Sequence, residues 1–191
     1  MRIIAGKHKG RKLNDCYKLK DLRPTTDRNK ESLFNILTSA KFLKDLDFDL
    51  TKRHLLDVFS GSGAISFEAL SRGVKSVTLI EKNSNHLELS KQNAKILGEE
   101  KNCEFINFDI SKPIFKSHKQ YDLIFIDPPY QSNLLEVSIQ NLINANFIAK
   151  NAIIIFEYSV YEKLDLEKLQ NLEFLADRKY SKTIFSYFRK V

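Results

Sequence analysis

The chain has 191 residues, 42% of them hydrophobic and 29% charged, so it is long enough to bury a substantial core as one soluble domain. Its start has no apolar core long enough for a signal peptide, and no apolar run approaches the roughly 18 residues that span a bilayer. The two cysteines and four histidines match no metal-ligand or redox spacing, which argues against a metal site and predicts a cytoplasmic protein with reduced thiols. Nothing in the sequence indicates more than a monomer.

The net charge of +7 is unevenly distributed along the chain. Residues 1–30 contain ten Lys or Arg against three acids, which accounts for the whole excess, and residues 178–191 contain five more basic residues and no acid. Such segregation favours a surface for a polyanion such as nucleic acid over a role in solubility alone.

The first predicted element is a glycine-bounded β-hairpin. Arg2–Gly6 predicts a short strand, residues 7–9 form a basic tip between Gly6 and Gly10, and residues 11–13 return as a second strand. A helix is expected from Thr26 or Asp27. We therefore divide the chain into a basic extension over residues 1–26, which contacts phosphates, and a main domain over 27–191. Residues 38–54 carry no recognisable chemistry.

A strand, a glycine-rich turn and a helix follow over residues 54–73. Residues 54–59 read as a buried strand and lead into Ser60-Gly61-Ser62-Gly63, an arrangement that brings a cofactor against bare backbone and a helix N-terminus. The next strand, 76–80, ends at Glu81, an acid placed to accept hydrogen bonds from both hydroxyls of a ribose. Helix 83–97 and strand 103–108 come next, and Asp109 at that strand's end is placed to accept from the exocyclic amine of an adenine.

The fourth strand, residues 121–126, runs into Asp127-Pro128-Pro129-Tyr130. Neither proline has an N–H to donate, so the strand must end there. An acid, two stiff backbone carbonyls and an aromatic ring at the carboxyl edge of a sheet suit a planar group with an amino substituent, such as a nucleobase. The alternative is an ordinary strand-to-helix loop in which Tyr130 merely packs.

The rest of the chain predicts a helix at 132–147, a strand at 152–157, a helix at 160–171 and an antiparallel pair at 173–179 and 183–188. Alternating strands and helices indicate an α/β fold with a mostly parallel sheet and helices on both faces. A nicotinamide cofactor is a weaker alternative for the glycine-rich turn, because Ser66 replaces the third glycine of the dinucleotide pattern and no second substrate-binding half is visible.

Several of these stretches together resemble a known family, the bacterial small-subunit ribosomal RNA guanine-N2 methyltransferases of the RsmD type. The glycine-rich turn and the Asp-Pro-Pro-Tyr motif are shared by many methyltransferases, whereas the N-terminal blocks and Glu68–Gly73 are more specific. Asn29-Lys30 and Ser181 depart from the family pattern, which usually has an apolar residue and an arginine at the first site and a glycine at the second. The matching stretches are Arg2–Gly6, Gly10–Leu13, Leu22–Thr25, Asp27-Arg28, Leu33–Leu37, Asp57–Gly63, Glu68–Gly73 and Asp127–Tyr130.

The resemblance implies a Rossmann-like, seven-stranded class I fold that uses S-adenosyl-L-methionine to methylate guanine N2 in 16S rRNA or the small ribosomal subunit. It assigns base binding and catalysis to Asp127, Pro128, Pro129 and Tyr130. It assigns cofactor binding to Asp57, Phe59, Ser60, Gly61, Ser62, Gly63, Glu81 and Asp109. Contact with RNA is expected at Arg2, Lys7, Lys9, Arg11, Arg23, Lys179 and Lys182.

Two other functions remain open at this stage. An adenine-N6 methyltransferase uses the same four-residue motif, although this sequence shows no separate target-recognition domain. A ribosome assembly factor would keep the fold without catalysis, and failure to bind the cofactor would favour it.

Overall fold

The structure is a computed structural model that describes residues 1–14, 26–129, 132 and 134–191. The chain divides into two compact units, Met1–Asn107 and Phe108–Val191. No helix in the described part of the chain is long and apolar enough to cross a membrane.

The first unit contains three parallel strands in the order β3-β2-β1, together with the helices that connect or precede them. Its first helix begins where the sequence predicts, because the Thr26 hydroxyl accepts a hydrogen bond from Asn29 N at 3.2 Å and caps the helix. The elements are α1 (Asp27–Ser39), α2 (Lys41–Lys44), β1 (His54–Val58), α3 (Ala64–Ser71), β2 (Ser76–Glu81), α4 (Ser84–Leu97) and β3 (Cys103–Asn107).

The second unit contains four strands in the order β4-β5-β7-β6, and β4 pairs with β5 in parallel. The two C-terminal strands are antiparallel to their neighbours, as the sequence predicts. The elements are β4 (Tyr121–Ile126), α5 (Leu134–Asn144), β5 (Ile148–Ser159), β6 (Leu172–Tyr180) and β7 (Thr183–Lys190).

The fold class predicted from the sequence is confirmed: the protein is a mixed α/β protein with a seven-stranded, mostly parallel sheet and antiparallel C-terminal strands. Apolar runs form the central strands because both of their faces are covered. In β5, for example, Ile153–Phe156 are at most 2% exposed.

The predicted helix over residues 160–171 is wrong. β5 continues to Ser159, and the next regular element is a single 3₁₀ turn at Leu166–Leu169. The Asp165 carboxylate accepts from Glu167 N and forms a local turn in place of a helix start. The apolar residues make no buried stripe, because Tyr161 and Leu166 are exposed and Leu169 is buried.

The predicted N-terminal hairpin is present in the N-terminal segment, residues 1–14. Arg2 and Lys12 form an antiparallel bridge, and Ile3 N donates to Arg11 O at 3.0 Å. Gly10 N donates to Ile3 O at 2.9 Å, so the two arms are held on both sides of the basic tip.

Candidate functional site

The glycine-rich turn, residues 59–63, connects β1 to α3 and has an unusual backbone. Phe59 follows β1 directly with φ of 65°, in the left-handed region that a bulky residue rarely adopts. Such a conformation costs about 1–3 kcal/mol and persists where the surroundings impose it, often at a binding site. Ser60 N donates to Ile80 O at 3.1 Å, which fixes the turn to the end of β2.

The glycines of the turn allow close packing. Gly63 has φ of 80°, and a Cβ there would lie 2.3 Å from the buried Phe67 ring, so any side chain would displace that ring or the helix that carries it. Ser60 is 8% exposed, and its Oγ has no hydrogen-bond partner within the described residues. A buried hydroxyl without a partner is what a bound polar ligand would satisfy.

Glu81 lies at the end of β2, where the sequence predicts a ribose-binding acid. Its carboxylate is 9% exposed and is held by two backbone N–H groups, Gly61 N at 3.0 Å on Oε2 and Asn83 N at 2.8 Å on Oε1. Each carboxylate oxygen can accept a further hydrogen bond. Glu81 therefore sets the position of Gly61 and keeps capacity to accept from a ligand hydroxyl.

Asp57, which is predicted to bind the cofactor, also stabilises the local structure. Its Oδ2 accepts from Ser66 N at 3.2 Å and from Ser66 Oγ at 2.6 Å, so it fixes the first turn of α3. Burial raises the pKa of Asp57 to about 7; the bonds from Ser66 oppose this, and the charge of Glu81 adds to it. The assignment of Asp57 to cofactor binding remains a prediction.

Three polar residues on one face of α4 are also part of this region, and the sequence interpretation missed them. Ser90 Oγ donates to Gly61 O at 2.8 Å, and Asn93 Nδ2 donates to Ser62 O at 3.1 Å. His86 Nδ1 lies 3.8 Å from Glu81 Oε1, and its buried Nε2 has no partner among the described residues. The sequence pattern could have indicated them. Positions 86, 90 and 93 follow helical spacing and therefore lie on one face of α4, where polar residues stand in place of the apolar residues that a core-facing stripe usually has.

The residues of this unit fit a nucleoside-containing cofactor. Gly61 allows close approach to the backbone, the Ser60 Oγ offers a hydroxyl without a partner among the described residues, and the Glu81 carboxylate offers an acceptor for a ribose. A metal centre has no such support: no group of three or more His, Cys, Asp or Glu suited to hold an ion occurs among residues 1–14, 26–129, 132 and 134–191.

The second unit contains the remaining predicted site residues. Asp127 follows β4 directly and is half-buried, and the strand ends at Ile126 as the prolines require. Pro128 is buried and Pro129 is exposed, while Tyr130 lies outside the described residues. Asp109 Oδ1 accepts from Ser111 N at 3.1 Å and Ser111 Oγ at 2.7 Å, so part of this carboxylate shapes a local turn.

The N-terminal segment is fixed to α3 by the Glu68–Gly73 block. Glu68 is fully buried, and its carboxylate accepts from Ile4 N at 2.8 Å and Ala5 N at 3.1 Å. Arg72 Nε donates to the same carboxylate at 2.7 Å, and Ser71 Oγ donates to Ala5 O. The sequence analysis identified this block as one of the more specific stretches, and in the structure it anchors the hairpin to α3.

The predicted RNA-contacting residues that the structure describes lie at the surface. In the N-terminal segment, Arg2 pairs with Asp27 at 2.9 Å, Lys7 Nζ lies 2.6 Å from Glu99 Oε1, and Arg11 donates to Ile96 O at 3.0 Å. Lys9 is exposed at the hairpin tip. Lys179 and Lys182 are exposed on either side of Ser181, whose φ of 55° explains why a glycine suits that turn, and Arg23 lies outside the described residues.

Comparison with known proteins now decides the family. A family model described as Conserved hypothetical protein 95, the family of RsmD, matches residues 1–189. The chain belongs to this family. The resemblance stated from the sequence is thereby confirmed.

Individual relatives agree with this assignment. An uncharacterized methylase of Rickettsia prowazekii is 30% identical over 96% of this chain and 94% of its own length. The ribosomal RNA small subunit methyltransferase D of Buchnera aphidicola is 37% identical over 82% of this chain and 75% of its own. A solved structure, a candidate methyltransferase from Escherichia coli, covers 100% of this chain and 97% of its own, with a TM-score of 0.80 and 30% identity.

Proposed function

We propose that this protein transfers a methyl group from S-adenosyl-L-methionine to the exocyclic N2 of a guanine in 16S rRNA. The proposal depends above all on one observation, an acid and two prolines directly after β4 in a chain that belongs to the RsmD family. Relatives named ribosomal RNA small subunit methyltransferase D, such as that of Buchnera aphidicola, supply the substrate class.

The first unit provides the groups that suit the cofactor. Glu81 accepts from the ribose, the Ser60 hydroxyl bonds to a polar group, and Gly61, which has no side chain, allows close approach to the backbone. In the second unit, Asp109 accepts from the adenine amine. S-adenosylmethionine itself supplies an already activated methyl group, so positioning provides much of the rate.

Asp127 acts on the base. Guanine N2 is a poor nucleophile because its lone pair is delocalised into the ring. The Asp127 carboxylate and the Pro128 carbonyl accept the two N2 hydrogens, which draws the nitrogen toward a tetrahedral geometry and frees its lone pair. Asp127 also stabilises the positive charge that develops on N2 as the methyl–sulfur bond breaks. S-adenosylhomocysteine is then the leaving group, and the methylated N2 releases one proton to solvent. Tyr130 stacks on a base that has left its own stack.

The decisive experiment incubates the protein and methyl-labelled S-adenosylmethionine with unmodified small ribosomal subunits and identifies the labelled nucleoside after digestion. N2-methylguanosine is the expected product. N6-methyladenosine would replace this proposal with an adenine methyltransferase, and no label despite cofactor binding would indicate a non-catalytic role.

Substitution of Asp127 tests its role. Asp127→Ala is expected to lower the rate of transfer about 100-fold or more, the scale seen when one preorganised electrostatic contact to a transition state is removed. Its affinity for the cofactor should stay close to that of the wild type. Asp45→Ala, which removes an exposed acid, is the control. An Asp127→Ala variant that keeps most of its rate would disprove the assignment.

A further inference from the structure

The inward face of α4 supports the glycine-rich turn at two successive carbonyls. Ser90 Oγ donates to Gly61 O at 2.8 Å, and Asn93 Nδ2 donates to Ser62 O at 3.1 Å. Positions three apart lie side by side on a helix, and both side chains are fully buried. The conformation of the turn therefore depends on two donors of α4.

Asn93 alone of this pair also binds the N-terminal segment. Its Oδ1 accepts from Asn14 N at 2.8 Å, and its Nδ2 donates to Asn14 O at 3.2 Å. The amide thus pairs with both backbone groups of Asn14 as a neighbouring strand would. Both amide protons and the amide oxygen of Asn93 have partners, so no bond can be lost without a penalty for burial of an unpaired group.

We propose that Asn93 is a positioning residue that couples cofactor binding at the glycine-rich turn to the N-terminal segment, so that cofactor and RNA each strengthen binding of the other. The inference rests on the proposed function, which assigns the cofactor to the turn and RNA to the segment. A ligand that fixes Ser62 also fixes Asn93, and Asn93 fixes Asn14. Thermodynamic linkage is reciprocal, so bound RNA must raise the affinity for the cofactor by the same factor as bound cofactor raises the affinity for RNA.

The other described hydrogen bonds of the segment serve a different purpose. They run to Asp27 and Lys30 on α1, to Glu68 and Ser71 on α3, to Gln92 and Ile96 on α4 and to Glu99 beyond it, and they hold the segment in place without reaching the glycine-rich turn. A contact of 3.7 Å from Ser62 Oγ to the Met1 sulfur also reaches the turn, but sulfur is a weak acceptor. Asn93 is accordingly the connection whose removal should uncouple the two sites.

Asn93→Asp is the informative variant because it keeps the size of the side chain. A carboxylate oxygen replaces Nδ2 and faces the carbonyls of Ser62 and Asn14, so two attractive contacts become repulsive. Ser90→Ala is the matched control, since it removes the bond to Gly61 O and leaves the contacts of Asn14 intact. Asn14→Pro is a second variant at an exposed position: it deletes the backbone N–H that donates to Asn93, together with the side-chain bond from Asn14 Nδ2 to Gln92.

The first measurement is the affinity for unmodified small-subunit RNA with and without saturating S-adenosylhomocysteine, the unreactive product. The wild type should bind RNA at least about fivefold more tightly when S-adenosylhomocysteine is bound, which is the lower end of the coupling typically found between two allosteric sites. This ratio should fall to about one in Asn93→Asp and Asn14→Pro. Ser90→Ala should bind the cofactor more weakly but should keep the wild-type ratio of RNA affinities with and without S-adenosylhomocysteine.

The second measurement needs no RNA. Cofactor binding should slow hydrogen exchange of the Asn14 amide in the wild type and Ser90→Ala, and should leave it unchanged in Asn93→Asp. A ratio of one in the wild type, or an unaltered ratio in the folded Asn93→Asp or Asn14→Pro variants, would overturn the inference while labelled N2-methylguanosine still upheld the proposed function. A wild type that binds no cofactor would refute both.

Discussion

Three of the buried carboxylates in the first unit look alike in the sequence but have different hydrogen-bond partners. Glu81 accepts from the turn at Gly61, Asp57 fixes the start of α3 through Ser66, and Glu68 accepts from the backbone of Ile4 and Ala5. Only Glu81 stands at a strand end with capacity for a ligand. Position relative to the strand end predicts two of these acids as site residues, but it does not reveal which neighbour each one bonds.

Asp57→Asn tests the protonation of this buried acid. The pKa of Asp57 is raised to about 7 by burial, so the folded protein binds a proton that the unfolded chain has released. The wild type should therefore lose stability as pH rises from about 4 to 7, by up to about 1.4 kcal/mol per pH unit. Asparagine keeps the acceptor for Ser66 and carries no charge. Its free energy of unfolding, compared with the wild type by denaturant titration at each pH, should lack this slope, and parallel curves would contradict the prediction.

Glu68→Gln tests the anchor of the hairpin. Glutamine retains one acceptor oxygen, but its amide N–H₂ faces a backbone N–H that needs an acceptor. The substitution also removes the negative charge that pairs with Arg72. Breaking a buried pair costs about 3–5 kcal/mol, and a loss of this order is expected in chemical denaturation. Glu88→Gln, at an exposed position paired with Lys91, should change stability by less than about 1 kcal/mol. Equal effects at the two positions would disprove the anchoring role.

At the scale of elements, local signals predicted the hairpin but not its docking. Glycines at both ends of a basic tip are a short-range signal, and the antiparallel arms are present. Docking depends on Glu68, Ser71, Asn93 and Glu99, which are more than 60 residues away in the chain and carry no mark of their partner. The prediction of a helix at 160–171 failed for the opposite reason, because the local helical pattern is not matched by a continuous buried stripe: Leu169 is buried, whereas Tyr161 and Leu166 are exposed.

The pair Gly6 and Gly10 separates backbone strain from docking. Both have φ near 80°, but a Cβ at Gly6 would lie 1.8 Å from Ser71 O, whereas a Cβ at Gly10 meets nothing within 4 Å. Gly10→Ala should cost about 1–2 kcal/mol from strain alone. Gly6→Ala must in addition displace the hairpin from α3, so exchange of the Ile4 and Ala5 amides should speed up well beyond that in Gly10→Ala. Equal exchange in the two variants would rule out the close approach.

On the scale of the whole molecule, alternation of strands and helices was enough to predict the fold, because a parallel sheet needs a crossover between its strands. The order of acids at strand ends followed from the same rule. Charge was less informative, since a count of basic residues ignores their partners. Arg2, Lys7 and Arg11 bond to groups of the protein, and Lys30 is buried with its ammonium 2.8 Å from Arg2 O.

The exposed Lys9 at the hairpin tip offers the sharpest test of the basic surface. A phosphate contact releases counterions, so each one contributes about 0.7–0.9 to the slope of log affinity against log salt. Lys9→Ala should weaken binding of small-subunit RNA at low salt and reduce this slope by about one contact, because its exposed ammonium pairs with no residue in the described part of the chain and can reach a phosphate. Lys150→Ala, at another exposed position, should leave the slope unchanged. If both variants kept the slope of the wild type, the hairpin tip would not contact RNA, and the excess charge would have to act elsewhere in the N-terminal 30 residues or not at all.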